Sequence, residues 1–478
     1  MKKQTVVFVS ILLSFIPVLL KAQDSHYWTS NFSPAGFLTP GAAVANTRDS
    51  GIVYLNPAVM AWSDKTATSI SSNVYRYDHF RIKNGIGVGK DLVSNSTRIV
   101  PQLISKTFKL NKADPLTIGF ALIQNPLQDF NTSQRLDKKA NVLDDSYSPG
   151  NEVYVGQFDG ESQVTETYAQ ISAGKRISQK LAAGITLEGT LRDASVSQNL
   201  TSRALFNTPD DPDVILPPIA GNQIISKSDY TYAGIRLKVG VAYDSGNHHW
   251  GLVLSSPLAK LYSRATFIGD INSSNLHDVE TGQTTNLLAS TRQTNLRARW
   301  KMPMSLAGGY AYDYGQGQVY VSAEYFASVD SYTILKPDES SFIRTGNGAS
   351  LPLDGALSIQ DGRKRILNFG IGYSREINDV FTLMSSVRTD YNYLNDKTDG
   401  QGHFALWDIY HAQLGGNFKR RKFNLRAGLL LSYGKLKNYT QPVNFDSAND
   451  KNQLIGESLT VPAKYFSAGL LLSYIHNF

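Results

Sequence analysis

The strongest constraint on the fold is a period-two alternation of apolar and polar residues that recurs along most of the chain. In residues 181–192, leucine, isoleucine and alanine fall on one face, and threonine, glutamate and arginine fall on the other. Residues 423–434 repeat this pattern. Such alternation indicates β-strands with one apolar and one polar face. A soluble sandwich shows the same pattern, so the connections between strands must distinguish the two folds.

Short and long connections alternate strictly. The short ones lie near 111–114, 177–179, 245–248, 315–317, 377–378 and 420–421. The long, polar ones lie near 81–97, 128–160, 198–227, 270–290, 335–362, 396–404 and 438–460. Outer-membrane barrels have short periplasmic turns and longer extracellular loops. The chain is therefore predicted to be all-β, folding as a transmembrane antiparallel β-barrel.

The alternation also predicts the number of strands. Residues 291–300 and 303–314 could form two strands, but a connection at 301–302 would break the alternation and give an odd total. We therefore treat them as one long strand with a bulge at Pro303, a position where proline is tolerated. Residues 66–478 then form fourteen strands. The last strand alternates up to Phe478 and resembles the C-terminal signal of outer-membrane barrels.

The first residues have the features of a secretory signal. Lys2 and Lys3 precede an apolar run over 6–20 that is too short to span a membrane, and we expect residues 1–22 to be removed. Loss of this segment reduces the net charge from +7 to +4, so nucleic acid is not an expected partner. Cysteine is absent, which excludes disulfides, a cysteine-linked lipid anchor and a thiol nucleophile.

Between the signal and the first strand lies a stretch that is too apolar for a solvated tail. Residues 34–62 are rich in alanine and glycine and contain an Asn56-Pro57 turn signal. Barrels of about eight strands fill themselves with side chains, whereas those of sixteen or more enclose channels. Because fourteen strands would leave an open lumen, residues 23–65 are predicted to form a hatch inside it.

Residues 41–58, GAAVANTRDSGIVYLNPA, carry a family resemblance. They are similar to the N-terminal hatch of the FadL/TodX family of outer-membrane transporters of hydrophobic compounds such as long-chain fatty acids, whose hatch contains an Asn-Pro-Ala motif. That motif falls here on Asn56, Pro57 and Ala58. Further similarity lies at 100–101, 302–303, 319–326 and 407–432, so the resemblance covers nearly the whole mature chain.

The resemblance implies passive uptake across the outer membrane. A hydrophobic ligand would land in an extracellular groove, enter a lumen pocket and leave sideways through a gap at an inward kink in strand three. This route is physically sensible, since an apolar ligand gains ~0.8 kcal/mol per buried CH₂. Strand three is expected at 115–127, where Asn125 and Pro126 are the candidate kink. The alternative is that they only end the strand.

Seven charged residues are expected to face the lumen by parity. An excess of arginine could hold a ligand carboxylate, or the charges could pair with one another and with the hatch around Arg48 and Asp49. Both interpretations remain open, as does a purely structural role for the Asn56–Ala58 turn. The seven are Glu188, Arg192, Arg236, Lys238, Glu324, Arg388 and Arg426.

Other chemistry has weaker support. Asp210, Asp211 and Asp213 could bind Ca²⁺ or form a solvated loop, and we favour the loop. No GxSxG, HExxH or P-loop motif is present, so neither an enzyme nor a cofactor or metal is expected. A serine–histidine pair assembled across strands is the remaining catalytic alternative.

Two functions follow from these features. The first is uptake of hydrophobic molecules, with outer-membrane lipid and the ligand as partners. The second is a shuttle-type subunit of a secretion system, in which long loops bind exported proteins or the barrel contacts a periplasmic protein. An apolar lumen with a side gap favours uptake, whereas a closed lumen with an apolar extracellular patch favours partner binding.

Deletion of residues 24–62 tests the hatch. We expect the deletion variant to conduct ions in planar bilayers, because the lumen would lose its filling. Replacing Pro57 by alanine should alter uptake of hydrophobic compounds, since proline fixes the turn. An unchanged conductance in the deletion variant would contradict the hatch hypothesis.

Overall fold

The computed structural model describes residues 24–29, 45, 52–62, 66–110, 116–207, 218–278, 283–344, 350–351, 355–394 and 404–478. These residues are dominated by antiparallel strands, with four short 3₁₀ turns at Ile52–Tyr54, Val59–Trp62, Phe445–Ser447 and Asp450–Asn452. The strands are β1 (Ala67–Ile82), β2 (Leu92–Lys109), β3 (Leu116–Ala140), β4 (Glu152–Arg176), β5 (Leu181–Leu205), β6 (Ile219–Ser245), β7 (His248–Ser255), β8 (Ala259–Asp278), β9 (Gln283–Leu296), β10 (Ser305–Asp313), β11 (Gly317–Phe326), β12 (Val329–Leu335), β13 (Ile343–Arg344), β14 (Ser350–Leu351), β15 (Ile359–Arg363), β16 (Ile366–Glu376), β17 (Phe381–Asp390), β18 (Ile409–Lys419), β19 (Phe423–Thr440) and β20 (Thr460–Asn477).

The wall of the molecule is a closed barrel with fourteen strand positions. Each position pairs with its neighbours in antiparallel fashion, and β1 pairs with β20 from Ala67↔Asn477 to Ile82↔Ala463. Closure removes the sheet edges, whose unpaired backbone groups cannot be satisfied in lipid. The predicted fold class and strand number are confirmed.

Two positions are occupied by two strand segments each. β6 pairs with β7 near the short turn and with β8 farther along, so β7 and β8 share one position. β9 pairs with β8, and β10 pairs with β7, so these two share the next position. The predicted merger of 291–300 with 303–314 is therefore correct, although the interruption covers 297–304 and is longer than a bulge at Pro303.

Side chains alternate between the lumen and the exterior as parity predicts. On β20, the outward residues include Phe466, Leu470, Leu472 and Tyr474, which are about two-fifths exposed, whereas the intervening Ser467 and Ser473 are buried. The outward residues of the other strands form a continuous apolar band with aromatic residues toward both rims. This is the surface that a barrel presents to lipid.

Four consecutive strands continue well beyond the membrane. β3, β4, β5 and β6 are 25, 25, 25 and 27 residues long, whereas ~9–11 residues span a bilayer. Much of the predicted loops 128–160 and 198–227 is therefore strand. Their polar composition suggested loops because, outside lipid, both faces of a strand can be polar while the ladder persists. Residues 208–217, with Asp210, Asp211 and Asp213, lie outside the described residues.

An aromatic cluster packs together at the end of the barrel that carries the long loops. Phe130 stacks on Phe404 with ring centroids 4.1 Å apart, and Trp407 lies nearly parallel to Tyr465 at 6.0 Å. Phe80 contacts both groups. Loop residues 404–407 are thereby packed against β1, β3 and β20.

Among the described residues, no helix is long and apolar enough to cross a membrane.

A buried ion-pair network lies on the lumen side of β1 and β2. Asp78 accepts from Arg76 Nε at 3.1 Å, from Arg98 at 3.0 Å and from the Tyr465 hydroxyl at 2.8 Å. Asp78 and Arg76 are each only 2% exposed. Removing one partner of such a buried network leaves the other charges uncompensated.

We expect Asp78→Ala to lower the free energy of unfolding by ~3–5 kcal/mol, measured by urea titration in lipid vesicles. Asp137→Ala is the matched control, because Asp137 also pairs with an arginine two residues earlier, Arg135, but at an exposed site. The control should have little effect. Equal destabilisation by the two substitutions would contradict the role of burial.

Candidate functional site

The leading segment 24–29 lies inside the lumen. Asp24, Ser25, His26, Trp28 and Thr29 are all at least 95% buried. The segment has no regular secondary structure, so the wall must satisfy its backbone groups.

Asp390, at the end of β17, holds this segment. Its Oδ1 accepts from the backbone N–H groups of Tyr27 at 3.2 Å and Trp28 at 3.0 Å, and its Oδ2 accepts from the Thr29 hydroxyl at 3.2 Å. Arg388, two residues earlier on the same strand, donates to the Thr29 carbonyl at 3.4 Å. A carboxylate bonded to backbone N–H groups forms charge-assisted hydrogen bonds.

Two of the residues expected in the lumen bind side chains of the same segment. Arg192 donates to Asp24 and, at 2.7 Å, to Glu166, and all three side chains are buried. Glu324 accepts from the Trp28 indole N–H at 2.9 Å. These contacts agree with the alternative in which the lumen charges pair with one another and with the leading segment.

A second part of the leading segment, residues 52–62, lies near the short-turn end of the barrel. The Asn56 Oδ1 accepts from the Ala58 N–H at 3.0 Å, which closes the turn around Pro57, and its Nδ2 donates to the Val241 carbonyl at 3.3 Å. Arg176 Nε donates to the Ala61 carbonyl at 3.0 Å. The Asn-Pro-Ala motif is therefore joined to the barrel wall on β6, and the end of its segment to β4.

Three glycines form the seat for this turn. Gly174, Gly184 and Gly240 pair across β4, β5 and β6 in one row of the sheet. A Cβ atom at any of them would overlap the backbone of Pro57 or the side chain of Asn56. The row is therefore a shallow depression in the wall, and only glycine permits so close an approach.

Charged residues that face the lumen lie farther from the short turns than the glycines. Lys238 is two residues from Gly240 along β6, and the Glu188–Arg236 pair is four residues from the Gly184–Gly240 pair. Glu188 accepts from Lys238 at 2.8 Å and from Arg236, and all three side chains are buried. The Lys238 ammonium lies 4.7 Å from the centre of the Tyr54 ring. Three more of the residues expected in the lumen thus pair with one another, next to Tyr54 of segment 52–62.

The remaining predicted charged residues are Arg426, Arg48 and Asp49. Arg426 is buried but donates to Asn417 at 3.4 Å, on the neighbouring strand β18. Arg48 and Asp49 lie outside the described residues, so their proposed pairing has no structural description.

Asn125 and Pro126 lie within β3, which continues to Ala140. The register with β4 shifts between Pro126 and Gln128, as expected for a bulge. Asn125 and Pro126 therefore do not end the strand, which was the alternative interpretation of the sequence.

The ladder between β2 and β3 stops just before this bulge. The two strands pair only from Leu103↔Ile123 to Lys109↔Thr117. Farther out, side chains replace the ladder: Ser94 Oγ accepts from the Asn131 N–H at 2.9 Å, and Arg98 pairs with Asp129 at 3.2 Å. The wall thus has an interrupted ladder, which we call the strand-3 gap, between the Leu103–Ile123 pair and Ser94.

A chain of hydrogen bonds connects the gap to the leading segment. Asn125 Nδ2 donates to the Tyr168 hydroxyl at 3.3 Å, and that hydroxyl donates to Glu166. Glu166 accepts from Arg192, which also holds Asp24. Four wall residues therefore join β3 to the segment inside the lumen.

Several residues of this site were not predicted. No sequence pattern marked Asp390 as a functional residue, because its contacts depend on where the leading segment lies. Arg363 is also buried, and its guanidinium lies 4.4 Å from the Tyr393 ring centre and 5.1 Å from that of Trp300. Tyr393 in turn donates to Asp24 Oδ2 at 2.6 Å. Arg363 ends the five-residue strand β15 and Tyr393 lies in the loop after β17, so neither position showed the alternation of a long strand.

A serine and a histidine do approach one another across strands. His411 Nδ1 is 2.7 Å from Ser432 Oγ, and its Nε2 is 3.8 Å from Asp390 Oδ2. All three side chains are at least 97% buried, and Asp390 is already bonded to the leading segment. Of the three, Asp390 is the residue that contacts the leading segment. Within the described part of the chain, no cluster of three potential metal ligands occurs.

The glycine seat generates a direct test. Gly184→Leu should displace the Asn56–Ala58 turn and raise ion conductance severalfold in planar bilayers, because overpacking at a close contact forces the backbone to shift. Gly189→Leu, on the same strand, is the control, since its nearest neighbour is a carbonyl oxygen 3.8 Å away. Equal conductance of the two variants would contradict the assigned seat.

No family model matches the sequence, and no curated protein matches it either. Solved structures do match this chain. A Pseudomonas aeruginosa FadL homologue aligns with a TM-score of 0.58 and 13% identity over 95% of this chain and 100% of that one. The Pseudomonas putida toluene transporter TodX aligns with a TM-score of 0.53 and 14% identity over 96% of this chain and 100% of that one.

Both alignments cover almost the entire length of each protein. The strand count, the closure of β1 on β20 and the buried residues 24–29 agree with this likeness. The chain has the fold of the FadL/TodX outer-membrane channels.

Proposed function

We propose that the protein is a channel for passive uptake of hydrophobic molecules across the outer membrane. The observation that carries this proposal is the strand-3 gap, where the ladder between β2 and β3 is interrupted. A side opening would let an apolar molecule pass from the lumen into lipid without crossing water. The transport of toluene by TodX supports the class of ligand, and fatty acids are a further candidate.

An apolar cluster of side chains fills part of the outer half of the barrel interior. Tyr232, Phe267 and Trp300 are buried within one cluster on the inner side of β6, β8 and the 297–304 segment. Ligand pockets are generally lined by apolar and aromatic side chains with few polar groups. Because Arg192 and Arg236 are already paired with carboxylates, we favour recognition through apolar contacts over capture of a carboxylate by these two residues.

We further propose that the leading segment controls the gap. The hydrogen-bond chain from Asp24 through Arg192, Glu166 and Tyr168 ends on Asn125, next to the β3 bulge. If a ligand displaces the segment, Arg192 loses one carboxylate partner and Glu166 and Tyr168 can rearrange. The wall at Asn125 would then respond to occupancy of the lumen, in the manner of a bistable network.

A protein-binding role remains the second candidate. Val153, Leu205 and Ile219 pair in one row across β4, β5 and β6, where these strands extend beyond the membrane. Their exposed fractions are 46%, 37% and 48%. A row of exposed aliphatic side chains outside lipid suits a protein partner, as a shuttle-type secretion subunit would require.

A reversible crosslink distinguishes the two functions. Since the chain contains no cysteine, Ser94→Cys with Asn131→Cys introduces a single pair, placed where the Ser94 hydroxyl contacts the Asn131 backbone N–H across the gap. We expect the oxidised double variant to lose most uptake of a radiolabelled hydrophobic compound, because the outer ends of β2 and β3 can no longer separate. Reduction should restore uptake.

The control pair is Ser105→Cys with Ala121→Cys, which are directly paired in the intact part of the same ladder. Its oxidation should leave uptake near the wild-type rate. Uptake that persists in the oxidised Ser94/Asn131 variant would contradict lateral exit at the strand-3 gap and leave partner binding as the better explanation.

A further inference from the structure

Cationic side chains lie side by side on the outer surface of the barrel. Lys435 on β19 pairs with Lys464 on β20, which pairs in turn with Arg81 on β1. All three are exposed. Opposed residues on neighbouring strands have Cβ atoms ~4.5–5.5 Å apart, and like charges at that spacing destabilise a sheet. Lys83 and Lys437 add further exposed cations one row farther out.

Most of this charge lacks a partner among the described residues. Arg81 donates to Asp91 at 2.7 Å. Lys435 and Lys464 form no ion pair or hydrogen bond with the described part of the chain. The repulsion between the two lysines is therefore not relieved within the protein, and an external anion would relieve it.

The cations lie at the outer limit of the lipid-facing band. Tyr433 and Phe466 pair with one another two residues below Lys435 and Lys464, on the same face. From Phe466 to Phe478, the outward side chains of β20 span ~28 Å along the barrel axis at a tilt of ~45°. This distance matches the apolar band of outer-membrane barrels, ~25 Å tall. Lys435 and Lys464 are thus level with the head groups of the outer leaflet.

An apolar groove of about 930 Å³ lies on the same outer surface, with Tyr433 and Phe466 at its edge below the cations and most of its lining on β16, β17 and β18. Its lining combines aromatic side chains with a small exposed residue, Ala412. The lining includes Phe369, Tyr410, Leu431, Tyr433 and Phe466. A groove of this kind accommodates hydrocarbon chains.

We propose that this surface binds a phosphorylated lipid of the outer leaflet that carries several acyl chains, the lipid A class. Its phosphate would bridge Lys435, Lys464 and Arg81, and acyl chains would lie in the groove below. The order of the features, cations outermost and apolar groove inward, matches an anionic amphiphile anchored in the outer leaflet. The site faces away from the lumen and is independent of the proposed transport.

Native mass spectrometry of the full barrel in mild detergent tests both halves of the site, with purified lipid A and its dephosphorylated form as probes. Lys435→Gln with Lys464→Gln should weaken lipid A binding by about 30-fold. The dephosphorylated lipid should bind the wild-type protein and this variant equally. Arg421→Ala with Lys180→Ala, exposed cations at the opposite rim, is the control and should bind lipid A as the wild type does.

Ala412→Trp fills the groove without changing charge and should reduce binding of both lipids, whereas Ala427→Trp, exposed on β19 outside the groove, should not. In lipid-free detergent, Lys464→Gln should unfold at the same or a higher temperature than the wild type, because it removes a repulsion. Equal binding of lipid A by the wild type and the double lysine variant, or by the Ala412 and Ala427 variants, would overturn the proposal.

Discussion

Satisfaction of backbone hydrogen bonds in lipid governs this structure. A strand in the membrane can leave no N–H or C=O group unpaired, so the sheet must close, and the pairing of β1 with β20 completes that closure. The strand-3 gap is an exception to this rule, because the ladder between β2 and β3 is interrupted there. There the missing ladder bonds are partly replaced by Ser94, Arg98 and Asp129. A wall that is held by side chains separates at lower cost than one held by a continuous ladder.

Closure creates a second requirement, because a fourteen-stranded cylinder is too wide for its own side chains to fill. The chain meets it with its leading segment, which is held at one level by Asp390 and at another by the glycine row on β4, β5 and β6. These attachments differ in kind. The first consists of charge-assisted hydrogen bonds that a competing polar group could replace, whereas the second depends on shape and backbone proximity. Segment 24–29 is thus held by exchangeable contacts, and segment 52–62 by steric fit together with two hydrogen bonds to the wall.

Much of the fold could be predicted from the sequence. Side chains alternate with a fixed period of two along any strand, so the outward and lumen faces followed from parity, including the inward positions of Glu188, Arg192 and Arg236. The strand number followed from the alternation of connections. The length of β3 to β6 did not, because the outer face of a strand beyond lipid need not be apolar, and the buried apolar residues of the inner face, such as Phe130, Tyr154 and Phe158, are interspersed with polar ones. The glycine seat and Asp390 also escaped prediction, since both depend on register between strands and on the path of the leading segment.

The position of residues 24–29 has a consequence for how the molecule is made. They lie beside Asp390 at the end of β17 farthest from the short turns, while β1 begins at the opposite rim with Ala67. The first and last strands form the seam that completes the cylinder. A segment so enclosed cannot readily be inserted afterwards through a finished wall. Biogenesis must therefore bring the leading residues to the interior before β1 pairs with β20. The leading segment would then take part in an early stage of assembly.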